Sequence, residues 1–160
     1  MGSNRFYNAV LRYYHDSCKC TIKFDGIDAV WRYATLEGEF GPLNRYDLYI
    51  GAQIQLFGRH LTIMTSTAVV CRWIDEEASF LEMQRLWLQE KISASGNQPI
   101  IKKEPQFQIQ HVERITKTTG TKNLRRIFTQ VCKLKEQLVD LGLGHFIVSI
   151  PKQKKMHSKK

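Results

Sequence analysis

The first half of the chain is best read from residues 46–63, which run YDLYIGAQIQLFGRHLTI. Apolar side chains alternate with polar or small ones here, as in a strand with one buried face; the apolar set is Ile50, Ala52, Ile54 and Leu56. Gly58 and Arg59 then supply a two-residue turn, because glycine accepts the positive φ required at the first central position of a type II′ hairpin. We therefore predict a β-hairpin in which Gly51, Gly58 and Arg59 serve as structural turn residues.

A second hairpin is predicted from residues 11–24, which read LRYYHDSCKCTIKF. An aromatic pair leads through a turn containing Asp16 into a strand. Alternation places Cys18, Cys20, Ile22 and Phe24 on one face and Lys19, Thr21 and Lys23 on the other, so both thiols are expected to be small core residues. A metal site that adds His15, Cys71 or Cys132 is the alternative. Zinc sites favour paired C-x₂₋₄-C motifs, which the chain lacks, so we expect no metal and no cofactor.

Charge is distributed unevenly along the 160 residues. Residues 1–92 hold 10 Lys/Arg against 11 Asp/Glu, whereas residues 93–160 hold 14 against 4, which gives net charges of −1 and +10. A polyanionic partner is therefore expected for the C-terminal part, and charge alone does not choose between nucleic acid, anionic lipid and an acidic protein. No apolar run approaches the roughly 20 residues of a membrane span.

Helical periodicity begins after the β-rich part. Asp75 is a candidate cap for a helix over about 76–92, which carries an apolar stripe at helical spacing: Phe80, Leu81, Met83, Trp87, Leu88 and Ile92. Residues 93–99 form a linker of small polar residues, glycine and proline. We expect this helix to close the β-domain.

The remaining residues, 100–160, predict a basic extension. Residues 100–115 are compatible with either a strand or an extended segment. Thr121 is a candidate cap for a second helix over about 122–141, residues 145–151 are compatible with a short strand, and the lysine-rich end is predicted to be disordered. The second helix has an apolar stripe that needs burial against the first domain or another protein.

The search for catalytic motifs is negative. The sequence contains no G-x-x-x-x-G-K-[ST], EF-hand loop, H-E-x-x-H or G-x-S-x-G motif. Residues 119–122 before the second helix favour an ordinary capped turn over an anion site. We expect the chain not to be an enzyme.

Residues 47–61 fit the pattern D-x-Y-[IV]-G-A-x-[IV]-x-[LV]-[FY]-G-R-x-[LF] and resemble the core of the DM-ten domain. That domain occurs in EF-hand ciliary proteins and in a ciliary nucleoside diphosphate kinase. The resemblance covers residues 5–92, and it is strong over 46–63 and moderate over 11–24. It implies an α+β fold with a small pleckstrin-homology-like antiparallel barrel. The phosphotransfer motif N-x-x-H-G-S-D of the kinase is absent, so that activity is not carried over.

The resemblance also implies a function. DM-ten domains are non-catalytic building blocks on the inner wall of ciliary doublet microtubules, so we expect a structural protein of the cytoskeleton in the cytoplasm, specifically in the axoneme. The expected partners are α- and β-tubulin and neighbouring microtubule inner proteins. The basic extension is the proposed docking part, with the candidate residues Leu134, Leu138, Lys152, Lys154, Lys155, Lys159 and Lys160.

Two other classes of function fit the charge less well. A phosphoinositide or membrane-surface module needs a basic cluster on the barrel, and Lys19, Lys23 and Arg59 are few. A nucleic-acid binder needs an exposed stacking platform, and the aromatics of the extension, Phe107, Phe128 and Phe146, fit core positions better. We expect neither membrane nor nucleic acid as a partner.

Overall fold

The computed structural model describes residues 8–32, 36–102 and 119–152. The chain divides into two compact units, Met1–Met64 (the β-unit) and Thr65–Lys160 (the helical unit). This division differs from the predicted one, which placed a domain over 5–92 and a linker over 93–99. The first long helix falls in the helical unit because its apolar side chains share a core with the second helix.

Two antiparallel sheets form the β-unit. The first has the order β1-β2-β3 and comprises β1 (Ala9–Tyr14), β2 (Lys19–Phe24) and β3 (Val30–Arg32). The second has the order β5-β4-β6-β7 and comprises β4 (Glu37–Gly38), β5 (Gly41–Pro42), β6 (Gln53–Leu56) and β7 (Arg59–Thr62). The α+β class with antiparallel strands is confirmed. Across the residues that the structure describes, the two sheets are not closed into a barrel.

Side chains from both sheets meet in one small core. Its buried members are Cys20, Ile22, Leu36, Ile54 and Leu56. The alternation predicted for β6 is confirmed, because Ala52, Ile54 and Leu56 are buried while Gln53 is exposed. Five buried side chains make a small core, so the geometry of the turns matters for holding the strands in register.

The turn between β6 and β7 lies one residue earlier than predicted. Leu56 pairs with Arg59, so Phe57 and Gly58 form the two-residue loop, with φ of 49° and 73°. Positive φ at both central positions is characteristic of a type I′ turn, and the predicted type II′ turn at Gly58–Arg59 was wrong. The sequence misled because phenylalanine is not a residue expected at positive φ.

The β1–β2 hairpin is confirmed, and its turn corrects the placement of one thiol. Tyr14 pairs with Lys19, which leaves residues 15–18 as the loop. Cys18 has a φ of 53° and is exposed, and its thiol lies 3.8 Å from the carbonyl oxygen of His15. Cys18 is therefore a turn residue, whereas Cys20 is buried as predicted.

The helical unit begins with α1 (Ala68–Ala94). Its cap is Thr67, whose hydroxyl oxygen accepts a hydrogen bond from the Val70 N–H at 3.3 Å. The predicted start at residue 76 with Asp75 as the cap was wrong, since Asp75 lies inside the helix and its carboxylate accepts hydrogen bonds from a distant segment.

The second helix, α2 (Leu124–Asp140), agrees closely with the predicted 122–141. Its cap is Asn123, whose side-chain oxygen accepts from the Arg126 N–H at 2.9 Å, and not Thr121. The predicted strand at 145–151 is instead a 3₁₀ helix, Gly144–Ser149. The helical turn places Phe146, Ile147 and Ile150 against the core between α1 and α2, which an extended strand would not do.

A seam of apolar side chains at alternating spacings of three and four residues joins α1 and α2. On α1 the buried apolar residues are Cys71, Ile74, Ala78, Leu81, Leu88 and Ile92, and on α2 they are Leu124, Ile127, Val131, Leu134 and Leu138. This spacing is typical of helices that pack along one another at a shallow angle. The predicted α1 stripe was partly wrong, since Met83 is exposed and Gln89 is buried.

The two helices run in the same direction. Glu82 contacts Lys122, Arg85 contacts Gln130, and residues 98–100 contact Gln137, so the partners advance together along both helices. Parallel helices cannot be joined by a tight turn, which explains why 29 residues, 95–123, separate them.

Candidate protein-binding surfaces

Asp47, which opens the DM-ten-like pattern, is a structural residue. It is buried, and its carboxylate accepts a hydrogen bond from the Asn44 N–H at 2.8 Å. The Asn44 side chain in turn accepts from the Tyr46 N–H at 3.2 Å, which completes a capping box on the 3₁₀ helix Arg45–Asp47. A Cβ on Gly38 would lie 2.7 Å from Asp47 Oδ2, so Asp47 fixes this loop against β4 and requires glycine there.

The other specified positions of the pattern are mostly structural as well. Gly51 has a φ of 94° in the turn before β6, and its N–H donates to the Ile63 carbonyl at 2.8 Å. Among the larger side chains that the pattern specifies, Phe57 and Arg59 are the exposed ones, with Phe57 at 76%. Phe57 borders a shallow groove of about 200 Å³ with Glu37 and Gln55. Most positions of the pattern thus hold the fold of the β-unit, and the side chains at the tip of the β6–β7 hairpin are exposed and accessible to partners.

The docking residues predicted for the extension separate into two groups. Leu134 and Leu138 are fully buried against α1, so they hold the helical unit together and are not available to a partner. Their predicted role as docking residues is therefore corrected, because the apolar stripe of α2 packs against α1. Lys152 is exposed. Lys154, Lys155, Lys159 and Lys160 lie outside the described residues.

The loop before α2 binds an anion that belongs to the chain itself. The carboxylate of Asp75 accepts hydrogen bonds from the N–H groups of Thr119 at 2.8 Å and Gly120 at 3.0 Å. Gly120 has a φ of 61°, and a Cβ there would lie 3.0 Å from the Cys71 sulfur. The Asp75 carboxylate therefore occupies the position before α2 where the sequence allowed an external anion to bind.

A polar groove of about 210 Å³ lies beside that loop, between α1 and the start of α2. Three basic side chains line it, Arg85, Lys122 and Arg126. Lys122 lies 3.3 Å from the Glu82 carboxylate, and Arg85 Nη1 donates to Gln130 Oε1 at 2.8 Å. These contacts engage Lys122 and one end of the Arg85 guanidinium.

The thiols take part in no metal-binding group in the described ranges. No three His, Cys, Asp or Glu side chains come together in residues 8–32, 36–102 and 119–152. Burial raises the pKa of the Cys20 thiol and of the Cys132 thiol, which disfavours the reactive thiolate. Burial, then hydrogen bonding to Cys18, raises the pKa of Tyr13 to about 12. No helix in the described part of the chain is long and apolar enough to cross a bilayer.

A basic surface covers the face of the β1-β2-β3 sheet that points away from the core. The sequence predicted only part of it. Pairing places Arg12 opposite Thr21 and Thr21 opposite Arg32, while Lys19 and Lys23 flank Thr21 along β2. We call the four cations Arg12, Lys19, Lys23 and Arg32 the cationic face; all four are exposed. Alternation alone put Lys19 and Lys23 together, but Arg12 and Arg32 join them through the strand register.

Comparisons with protein families, curated proteins and solved structures find no match for this chain.

Proposed function

We propose that this chain is a non-catalytic structural protein of the ciliary or flagellar axoneme that binds the inner wall of doublet microtubules and stabilises them. The observation that carries the proposal is the DM-ten-like pattern over residues 47–61. Five of its positions have a specific part in one β-unit: Asp47 caps a turn, Gly51 and Gly58 take positive φ, and Ile54 and Leu56 fill the core.

The finer fold that the resemblance implies is part of the proposal. A pleckstrin-homology-like barrel has strands that bend around one core, and the two described sheets already contribute to one core. A non-catalytic role is supported by the fact that the specified residues are used for shape. Arg59 and Phe57 are the side chains left for contacts at the hairpin tip.

The partner in this proposal is tubulin, together with neighbouring microtubule inner proteins. The basic part of the chain is its C-terminal part, since residues 93–160 carry a net charge of +10. A surface of that charge favours an acidic protein partner through long-range attraction that salt weakens. Since Leu134 and Leu138 serve the α1–α2 seam, binding by the extension rests on its charged side chains, including Lys152.

Two experiments test the function. The tagged full-length chain, expressed in cells with motile cilia, is expected in axonemes that have been stripped of membrane and washed with salt. The purified chain is expected to co-sediment with microtubules, with an affinity that falls as ionic strength rises. Removal of residues 152–160 deletes five lysines, and we expect it to lower the affinity and flatten the salt dependence.

A partial control for this deletion is the double variant Lys133→Gln and Lys135→Gln, which removes two helix charges against the deletion's five and leaves the lysine-rich end intact. Recovery of the tagged chain only in the ciliary membrane fraction would reject the structural function. Flotation with phosphoinositide vesicles, without co-sedimentation with microtubules, would favour the membrane-surface alternative instead.

A further inference from the structure

The cationic face differs from the rest of the β-unit in its charge. Residues 1–64 contain seven Lys/Arg and six Asp/Glu, so the segment as a whole is close to neutral. Four of the seven cations lie on one face of one sheet. Strands β1, β2 and β3 contain no Asp or Glu along their lengths, and the nearest carboxylates in the sequence, Asp16 and Asp25, lie in the turns at the two ends of β2.

The spacing brings the four charges close together. Adjacent strands are about 4.8 Å apart, so the backbones of Arg12 and Arg32, on either side of Thr21, are about 10 Å apart. Lys19 and Lys23 lie four residues apart on the central strand, a separation of about 13 Å. The closest like charges are diagonal neighbours, Arg12 with Lys19 and with Lys23, about 7–8 Å apart, where repulsion weakly disfavours the sheet. The cluster therefore opposes folding to a small extent and suits a partner of opposite charge.

Apolar side chains adjoin the cations on the same face. Val10 and Val30 flank Lys23, and Tyr14 pairs with Lys19. They are exposed at 55%, 46% and 47%. Protein interfaces combine exposed apolar and aromatic groups with arginine in this way. A stacking platform for nucleic acid would instead place aromatic rings at the centre of the sheet, where this face has Lys23 and Thr21.

We infer that the cationic face is a docking surface for an acidic protein surface, one that presents clustered Asp or Glu side chains beside apolar ones. The inference deepens the proposed function, on which it rests for the setting in which such a partner is met. It assigns binding to the β-unit as well as to the basic extension, and it gives Arg12 and Arg32 a role that the sequence alone did not.

The test uses the full-length chain with Arg12→Glu and Arg32→Glu combined. The matched control combines Arg72→Glu and Lys133→Glu, two exposed helix positions, and so changes the net charge equally. Binding to a fluorescent Glu-rich peptide is measured by anisotropy across ionic strength. We expect the sheet variant to bind about tenfold more weakly, with a smaller salt dependence, and the control to change by less than about twofold. Equal losses in the two variants, or none in the sheet variant, would overturn the inference.

Folding is checked by circular dichroism, and the reversal is expected to preserve the fold because it reduces like-charge repulsion. A second variant, Lys19→Glu with Lys23→Glu, tests the same face independently and is expected to lose binding as well. Vesicles containing phosphatidylserine and a single-stranded oligonucleotide are run in parallel. A tenfold loss confined to either of those probes would overturn the choice of a protein partner.

Microtubule co-sedimentation separates this inference from the proposed function. If wild type and both variants pellet equally with microtubules, the cationic face fails and the function stands. If wild type binds the acidic peptide through this face but does not pellet with microtubules, the docking surface stands and the function fails.

Discussion

In the β-unit the strands are two to six residues long, and their order depends on turns, whereas in the helical unit helices of 27 and 17 residues share one seam. In the β-unit the fold is specified largely by backbone conformation in the turns, as at Phe57, Gly58 and Cys18, which all have positive φ. In the helical unit the fold is specified by the packing of apolar side chains between the two helices. The two units should therefore respond differently to the same kind of substitution.

The largest effect is expected from the seam. Leu134→Ala removes a fully buried side chain between α1 and α2 and should lower the free energy of unfolding of the helical unit by about 2–5 kcal/mol. Urea unfolding followed by circular dichroism measures the change. The control is Val139→Ala on the same helix, at a position that is 55% exposed. Similar losses in both variants would contradict the seam.

A smaller effect is expected where the chain approaches α1 before the second helix. Gly120→Ala places a Cβ 3.0 Å from the Cys71 sulfur and 3.1 Å from its Cα, at a φ of 61°. The strain should destabilise the helical unit by about 1–3 kcal/mol. Gly96→Ala is the control, because its φ of 82° is also positive but nothing lies within 4 Å. Thermal unfolding of both variants then isolates the steric part, and equal melting temperatures would exclude it.

In the β-unit one substitution should be stabilising. Phenylalanine at a φ of 49° is strained, and asparagine tolerates that conformation and is favoured before glycine in a type I′ turn. Phe57→Asn should therefore stabilise the β-unit by about 1 kcal/mol. Amide exchange of the Leu56 and Arg59 N–H groups reports on this hairpin directly. Faster exchange in the variant would mean that the exposed ring contributes contacts that outweigh the strain.

The smallest difference concerns two thiols of one hairpin. Cys18 is exposed in the turn, while burial raises the pKa of Cys20 and lowers its thiolate fraction near pH 8. Iodoacetamide should therefore label Cys18 first, and raising the pH should speed the labelling of Cys20. Mass spectrometry of peptides after timed quenching measures both rates. Denaturant is expected to equalise them, and equal rates in the native protein would place Cys20 outside the core.

The sequence predicted the strands of the hairpins and the second helix well, because these depend on local periodicity. Ile54 and Leu56 alternate with polar residues, and this alternation indicates a strand whichever segment the strand packs against. Periodicity says that Leu134 and Leu138 are buried but not against what. The sequence left open burial against the first domain or another protein, and we predicted Leu134 and Leu138 to be docking residues, while in the structure α1 covers them.

Errors arose where a distant segment decides the local structure. Asp75 has the side chain of a helix cap, but the amides of Thr119 and Gly120, more than 40 residues away, bind its carboxylate. The cationic face was missed for the same reason. The strand register makes Arg12, Lys23 and Arg32 neighbours, and the sequence alone does not give that register. Single-sequence patterns carry no information on such pairings.

The parallel course of α1 and α2 has a consequence for the rate of folding. A helical hairpin can grow outward from its turn, but here the partners across the seam, such as Glu82 and Lys122, are about 40 residues apart in the sequence. Closing a loop of that length costs entropy that only later contacts offset, so the helical unit has a high contact order for an all-helical structure. We therefore expect it to fold more slowly than an antiparallel helix pair of the same size. During that delay the apolar stripe of α1 is exposed, which makes the nascent chain a candidate for chaperone binding until α2 has been synthesised.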